Sequence, residues 1–229
     1  MEKIEKYTVL LADADDTLLD FAAAEGKALR AACAAMGLAI GDAQAQQYKE
    51  INAALWRAFQ RNEITQEALK VLRFERFLAA LGVSADPAEL AEHFVGALSL
   101  QTDEIGGARE FLREASARVP VVIVTNGIAR VQRSRFGLSP LSAHITDFII
   151  SGERGFAKPD PRMIWAAIEA AGVPDARPLM LGDEPTSDIA AARAAGVDSC
   201  WFNPSGRENT TLHLPTLEVR ALREVLQWL

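Results

Sequence analysis

The sequence offers little sulfur chemistry. Of its 229 residues only Cys33 and Cys200 are cysteine, and neither sits in a Cys-x-x-Cys pair. The three histidines do not stand at zinc-ligand spacing. A zinc site and a disulfide framework are thereby excluded, and both thiols are expected in the core of a protein kept reduced. Basic charge is also scarce: 24 Lys and Arg face 31 Asp and Glu, a formal net charge of -7. That balance argues against nucleic acid polymers and anionic membrane surfaces as partners, and leaves room only for a local basic pocket that takes a small anion. Long apolar runs are missing, since no stretch of about 18 uncharged apolar residues occurs. The opening Met1-Glu2-Lys3-Ile4-Glu5-Lys6 has no apolar signal-peptide region. These absences lead us to expect a soluble, cytoplasmic protein. Nothing in the sequence specifies an oligomeric state. Repeats and low-complexity tracts are absent too, and the Ala-rich segment 22–35 reads as an ordinary helix.

What is present suits one substantial core and a smaller satellite, with 49% hydrophobic residues. Residues 21–100 are rich in Ala, Leu, Glu and Gln and poor in β-branched runs, which predicts about four helices. Val71, Phe74, Leu78 and Leu81 recur at spacings of 3, 4 and 3 as one apolar face, closed by Gly82. Asp86-Pro87-Ala88-Glu89 is a helix start, with Asp86 as cap, Pro87 at the first helical position and Glu89 able to reach back. After Gly106-Gly107 short apolar runs alternate with helical segments. Runs at 8–12, 119–124, 148–150, 179–181 and 200–202 make five candidate parallel strands, with Pro120 tolerable at a strand start. The fold class is α/β, a doubly wound parallel sheet. Residues 1–17 and 101–229 would form this core domain, and residues 18–100 a helical cap inserted after the first strand.

Polar clusters sit where those strands should end. Asp13-Ala14-Asp15-Asp16-Thr17-Leu18 follows the first run, so Asp13 and Asp15 emerge at the sheet's carboxyl edge, where open α/β sheets bind ligands. Two acids at i and i+2 can supply a nucleophile, a proton donor and a cation site, the requirements of phosphoryl transfer. An ordinary alternative is that Asp16 or Thr17 caps a helix running into Leu18 and Leu19. A calcium loop is excluded, because its sixth position would be Leu18 instead of Gly and its twelfth Ala24 instead of Glu. Thr125-Asn126-Gly127 follows the second run and precedes a helical segment, 128–136. It reads either as a phosphate site or as a plain helix cap. Lys158-Pro159-Asp160 follows the third run through the Gly-containing loop 151–155. Lys158 is either a solvated surface charge or a fixed ammonium that neutralises an aspartate and a phosphate oxygen. Gly182-Asp183-Glu184-Pro185-Thr186-Ser187-Asp188 follows the fourth run. There Asp183 could join Asp13 and Asp15 on a magnesium ion, while Asp188 caps the next helix or supports the metal site.

Taken in order, Asp-x-Asp-x-Thr, Thr-Asn, Lys-Pro and Gly-Asp with a further Asp resemble the four motifs of the haloacid dehalogenase (HAD) superfamily across the whole sheet domain. The resemblance implies strand order 5-4-1-2-3, a C1-type helical cap, and magnesium-dependent hydrolysis through an aspartyl-phosphate. An acid at Asp15 resembles the phosphatase branch, since dehalogenases lack it and phosphonate-cleaving members have a small residue there. Tyr48, Asn52, Leu55-Trp56 and Ile64-Thr65, with Ser187-Asp188-Ile189 and Cys200-Trp201-Phe202-Asn203, are similar to the pyrimidine 5′-nucleotidase subgroup. The segment 101–107 departs from that pattern, because it lacks the proline common in this linker. In these terms Asp13 is the nucleophile and Asp15 the acid and base. Magnesium lies on Asp13, the Asp15 main-chain carbonyl and Asp183, with Asp188 behind it. Thr125, Asn126 and Lys158 hold phosphate, and Phe21 and Trp56 are candidate substrate contacts. The expected substrate is a small phosphorylated metabolite, a nucleoside monophosphate first. Phosphoglycolate, a sugar phosphate and a β-phosphoglucomutase-like mutase reaction are the alternatives. A receiver-like phosphoacceptor shares the Asp, Thr and Lys, but is usually about half this length and lacks the helical insert.

Overall fold

Five short runs of β-branched and aliphatic residues form strands because each can be covered on both faces. The computed structural model describes residues 6–61 and 63–229. β1 (Val9–Ala12) is followed by α1 (Phe21–Ala35), α2 (Asp42–Gln60), α3 (Gln66–Leu81) and α4 (Pro87–Leu98). The chain continues through α5 (Ala108–Ser116), β2 (Val121–Thr125), α6 (Ala129–Leu138), β3 (Asp147–Ile150), the short α7 (Ser151–Arg154) and α8 (Arg162–Ala171). β4 (Pro178–Gly182), α9 (Ala190–Ala195), β5 (Asp198–Phe202) and β6 (Leu217–Val219) complete it. Two compact units result: one runs to Asp20 and resumes over Thr102–Leu229, the other is Phe21–Gln101.

In the α/β unit the parallel sheet has the order β3-β2-β1-β4-β5-β6. Alternation along each strand sorts the core into two layers. Leu10, Ala12, Val121, Ile123, Leu179 and Leu181 pack with residues of α5 and Phe136 of α6, whereas Val9, Leu11, Val122, Val124 and Met180 pack with α8 and α9. Ala12 lies opposite Ile123 and Leu181, so the ends of β1, β2 and β4 are in step and the residues that follow them share one edge. The sixth strand, β6, escaped the sequence reading because Leu-Glu-Val is too short to show a period. The helix cap considered for Asp16 or Thr17 does not form. Asp16 adopts a left-handed φ of 58°, and the amides of Leu18 and Leu19 both donate to the Ala14 carbonyl at 2.9 Å. Leu18 and Leu19 are fully buried core residues, which ties this segment down as a loop, and helix begins only at Phe21.

In the helical unit α1 packs on α4, α2 on α3, and α3 on α4. Asp86 caps α4 through the Ala88 amide at 2.8 Å, and Gly82 closes α3 in the left-handed conformation, as their residue types predict. The apolar face of α3 is rotated from the expected one. Leu69, Arg73, Phe74, Phe77 and Leu78 are buried, whereas Val71 is 36% exposed. Aromatic packing sets this rotation: the Tyr48 ring lies 5.4 Å from Phe74, 5.4 Å from Phe77 and 5.7 Å from Phe94. Arg73 is drawn inside with them, its guanidinium 5.0 Å from the Phe74 centroid and 4.6 Å from that of Phe94.

Candidate active site

The edge of the sheet gathers acids around one ammonium. Asp13 extends the ladder beyond β1, its amide donating to the Leu181 carbonyl at 2.9 Å. Lys158 is buried and donates to Asp13 Oδ1 at 2.5 Å and to the Val124 carbonyl at 2.5 Å, and it is also ion-paired with Asp188, whose Oδ1 lies 2.7 Å away. Two hydrogen bonds and a second carboxylate fix its position. Burial alone would push Lys158 down, but the carboxylates of Asp13 and Asp188 more than offset it, and its pKa is raised. Asn126 holds the lysine's main chain from both sides, donating Nδ2 to the Lys158 carbonyl at 2.8 Å and accepting from the Lys158 amide at 2.8 Å. The Asn126 carboxamide is committed to holding the main chain of Lys158 in place. Lys158 is thus the fixed ammonium, and the solvated-charge reading is set aside.

Asp188 does not cap a helix. It lies within a π-helical turn, Pro185–Ile189, whose cap is Glu184, accepting from the Thr186 amide at 3.1 Å. The Asp188 carboxylate turns inward to Lys158 and accepts from the Glu184 amide at 3.0 Å. Gly182 makes room for it, because a Cβ there would lie 2.2 Å from Asp188 Oδ2. The carboxylates of Asp13, Asp183 and Asp188 offer oxygens within 4.8 Å of one another. Burial, with further repulsion from Asp188 and Asp15 and opposition from Lys158, pushes Asp13 up to about 7. Burial likewise raises Asp183 well above the usual carboxylate range, helped by Asp188, Asp13 and Asp16. Three acids face one buried ammonium and the half-exposed Arg207, 3.8 Å from Asp183, which still leaves excess negative charge, and an all-oxygen donor set suits a hard divalent cation such as magnesium.

Asp15 faces elsewhere. Its carboxylate is absent from that trio and is gripped by α6: Gln132 Nε2 donates to Oδ2 at 2.5 Å and Arg135 Nη1 donates to Oδ1 at 2.5 Å. The same Gln132 nitrogen reaches Thr125 Oγ1 at 3.3 Å, and that oxygen also accepts from the Gly127 amide at 3.0 Å. The sequence reading missed Gln132 and Arg135. Both are polar residues on the buried face of α6, beside Val131 and Phe136, and the fold alone brings them to Asp15.

The remaining candidates lie in the helical unit, where Phe21 and Trp56 are half-buried. The Trp56 ring meets Phe59 edge-on at 5.6 Å. Tyr48 and Asn52 are buried there. Both cysteines are buried and free, as expected, and burial pushes the Cys200 thiol up to about 12. Among the described residues no helix is long and apolar enough to cross a membrane.

A sheet edge of this order, with Thr125 ending a strand and Asp13, Lys158 and Asp183 beyond the ends of others, defines the class: the chain belongs to the haloacid dehalogenase-like hydrolase family, whose model matches residues 7–196. Within it, the chain is 34% identical over 223 residues to YfnB of Bacillus subtilis, a HAD-family hydrolase, covering 97% of this chain and 95% of that protein. It is 34% identical over 226 residues to the pyrimidine 5′-nucleotidase PynA of Streptococcus pneumoniae, covering 97% of this chain and 95% of PynA. With the pyrimidine 5′-nucleotidase YjjG of Escherichia coli it shares 32% identity over 225 residues, 98% of each chain. The crystal structure of magnesium-bound YfnB matches this fold with a TM-score of 0.90 over 97% of this chain and 98% of that one.

Proposed function

We propose that the protein is a magnesium-dependent phosphomonoester hydrolase that acts on nucleoside 5′-monophosphates through an aspartyl-phosphate on Asp13. The observation that carries this reading is the separation of two acids from one turn. Asp13 lies against Lys158 in the acidic trio, while Asp15 is held apart by Gln132 and Arg135. Two carboxylates in different environments are the arrangement a nucleophile and an acid-base group require. The nucleotide preference draws on the similarity to PynA and YjjG along nearly their whole lengths.

An Asp13 carboxylate oxygen attacks phosphorus in line, and the ester P–O bond breaks as Asp15 delivers its proton to the departing oxygen. Water then attacks phosphorus, its proton passes to Asp15, the Asp13–phosphorus bond breaks, and inorganic phosphate leaves. Thr125 Oγ1, the Asn126 main-chain amide and Lys158 orient the transferred group. A carboxylate and one phosphate charge about 4 Å apart repel by roughly 4 kcal/mol at an effective dielectric near 20. Lys158 cannot cancel this alone, since Asp13 and Asp188 already share it. Asp13, Asp183 and the Asp15 main-chain carbonyl would hold the magnesium ion with Asp188 beside them, and when bound it supplies the positive charge that lets an anionic ester approach.

Initial rates on a panel of nucleoside monophosphates and small phosphomonoesters, with magnesium or with excess chelator, test the proposal. Hydrolysis of pyrimidine monophosphates that needs magnesium is the expected result. Full activity in chelator overturns the metal assignment, and a preference for a sugar phosphate or phosphoglycolate overturns the nucleotide assignment.

A further inference from the structure

We propose that Gln132 and Arg135 are positioning residues that aim Asp15 for its proton transfers, and that Gln132 ties this aim to the phosphate-binding hydroxyl of Thr125. The proposal rests on the reading of Asp15 as the acid-base group. Asp15 sits on a loop next to a left-handed residue, Asp16, and a carboxylate there can rotate about two torsions unless something holds it. Residues i and i+3 of a helix share a face. From α6 they grip Asp15 one oxygen each, Gln132 on Oδ2 and Arg135 on Oδ1, so the plane of the carboxylate is set as well as its place. Both residues are essentially inaccessible to solvent, at 1% and 0% exposure, and the grip is therefore not an exchangeable surface contact.

Three details point to positioning beyond packing. The Gln132 carboxamide nitrogen has two hydrogens and two acceptors, Asp15 Oδ2 at 2.5 Å and Thr125 Oγ1 at 3.3 Å. It bridges the proton donor to the group that orients the phosphoryl moiety. Its Oε1, by contrast, is buried with no hydrogen-bond donor among the described residues. That omission costs stability, so the side chain is retained for its nitrogen. Finally, Gly127 is bare for the sake of Gln132: a Cβ at Gly127 would lie 2.2 Å from Gln132 Nε2. The glycine of Thr125-Asn126-Gly127 thus admits the bridge across the end of β2.

Leaving-group dependence provides the test. p-Nitrophenolate departs without a proton, whereas a ribose 5′-oxygen needs one, and kcat/KM reports the step in which it leaves. Gln132→Met, Gly127→Ala and Arg135→Lys are assayed with magnesium on uridine 5′-monophosphate and p-nitrophenyl phosphate, alongside thermal melting. The ratio of nucleotide to aryl-ester kcat/KM should fall by roughly tenfold or more in each variant, since a placed general acid contributes about 10²–10⁴-fold. Gln132→Met should melt no lower than wild type. Equal losses on the two esters, or an unchanged ratio, overturn the proposal while leaving the hydrolase reading intact; a wild type that hydrolyses neither ester overturns both. If Arg135→Lys does not fold, Gln132→Met and Gly127→Ala decide the question alone.

Discussion

Each unit of the molecule buries a charged cluster, and the two are built on opposite principles. In the helical unit Arg73 lies against the Phe74 and Phe94 rings and donates to Asn52 Oδ1 at 3.4 Å, and Asn52 donates to Glu25 at 2.6 Å. One cation there is relayed to one anion. In the α/β unit Lys158 is shared by Asp13 and Asp188, Asp183 converges on the same place with the half-exposed Arg207 beside it, and the Asp13 and Asp183 carboxyls are raised by burial first and by their neighbouring carboxylates second. Balanced charge holds a fold together, whereas unbalanced buried charge is a standing cost that a bound cation relieves. The comparison assigns structure to the first cluster and chemistry to the second.

The sharpest break in that comparison comes from the nucleophile. Asp13→Asn should lower turnover by roughly 10⁴-fold or more while the protein still folds, because an amide keeps the shape but cannot attack phosphorus. Circular dichroism and a turnover assay check this together. Wild-type turnover in the variant would remove Asp13 from its role.

The sheet domain is legible because β1, β2 and β4 are almost wholly buried, so a polar residue just after them has nowhere to go but the edge. Asp13 and Asp183 follow from that, Lys158 is reached from β3 only through the segment 151–157, and the structure brings all three together. Gln132 and Arg135 were not found, since Arg135 and its partner Asp15 are 120 residues apart in sequence and only the fold joins them. The same limit applies to the apolar face of α3. Spacing alone chose Val71, but packing against Tyr48 turned Phe77 inward instead. For Asp188 the sequence leaves a helix cap and support of the metal site both open, and the structure turns its carboxylate inward to Lys158.

Next in size is Arg73→Met. Removing one partner of a buried charged network costs about 3–5 kcal/mol, and the melting temperature should fall by several degrees. The nucleotide to p-nitrophenyl phosphate efficiency ratio should stay unchanged, in contrast with Arg135→Lys. A changed ratio with unchanged stability would give the helical cluster a catalytic purpose and undo the comparison.

Trp56→Ala comes third. If the indole stacks on the base, the same efficiency ratio should fall roughly tenfold, given about 1–3 kcal/mol per stacked base. Equal loss on both esters with a lower melting temperature would make Trp56 a packing residue of the helical unit.

The smallest effect is on pH. Asp13 is raised from 3.8 to about 7. A raised carboxyl contributes stability that is fully present below its unfolded pKa and is lost as pH rises through the folded one, here between about 4 and 7. The metal-free protein should therefore lose stability across that window through Asp13, and Asp183, raised in the same direction, adds a loss of the same sign as pH rises. Magnesium needs these groups deprotonated, so its stabilising increment should be larger at pH 8 than at pH 5.5. Melting curves at the two pH values, with and without magnesium, check the sign. Equal increments would mean that the acidic trio does not hold the ion.

One measurement reaches the central claim most directly. Wild-type protein turning over a nucleoside monophosphate in magnesium is quenched in acid, digested and analysed by mass spectrometry. The account predicts a phosphoryl group on the peptide that contains Asp13, present in the wild type and missing in Asp13→Asn. Turnover with no phosphorylated peptide at any quench time, or with the phosphoryl group on another residue, would contradict it.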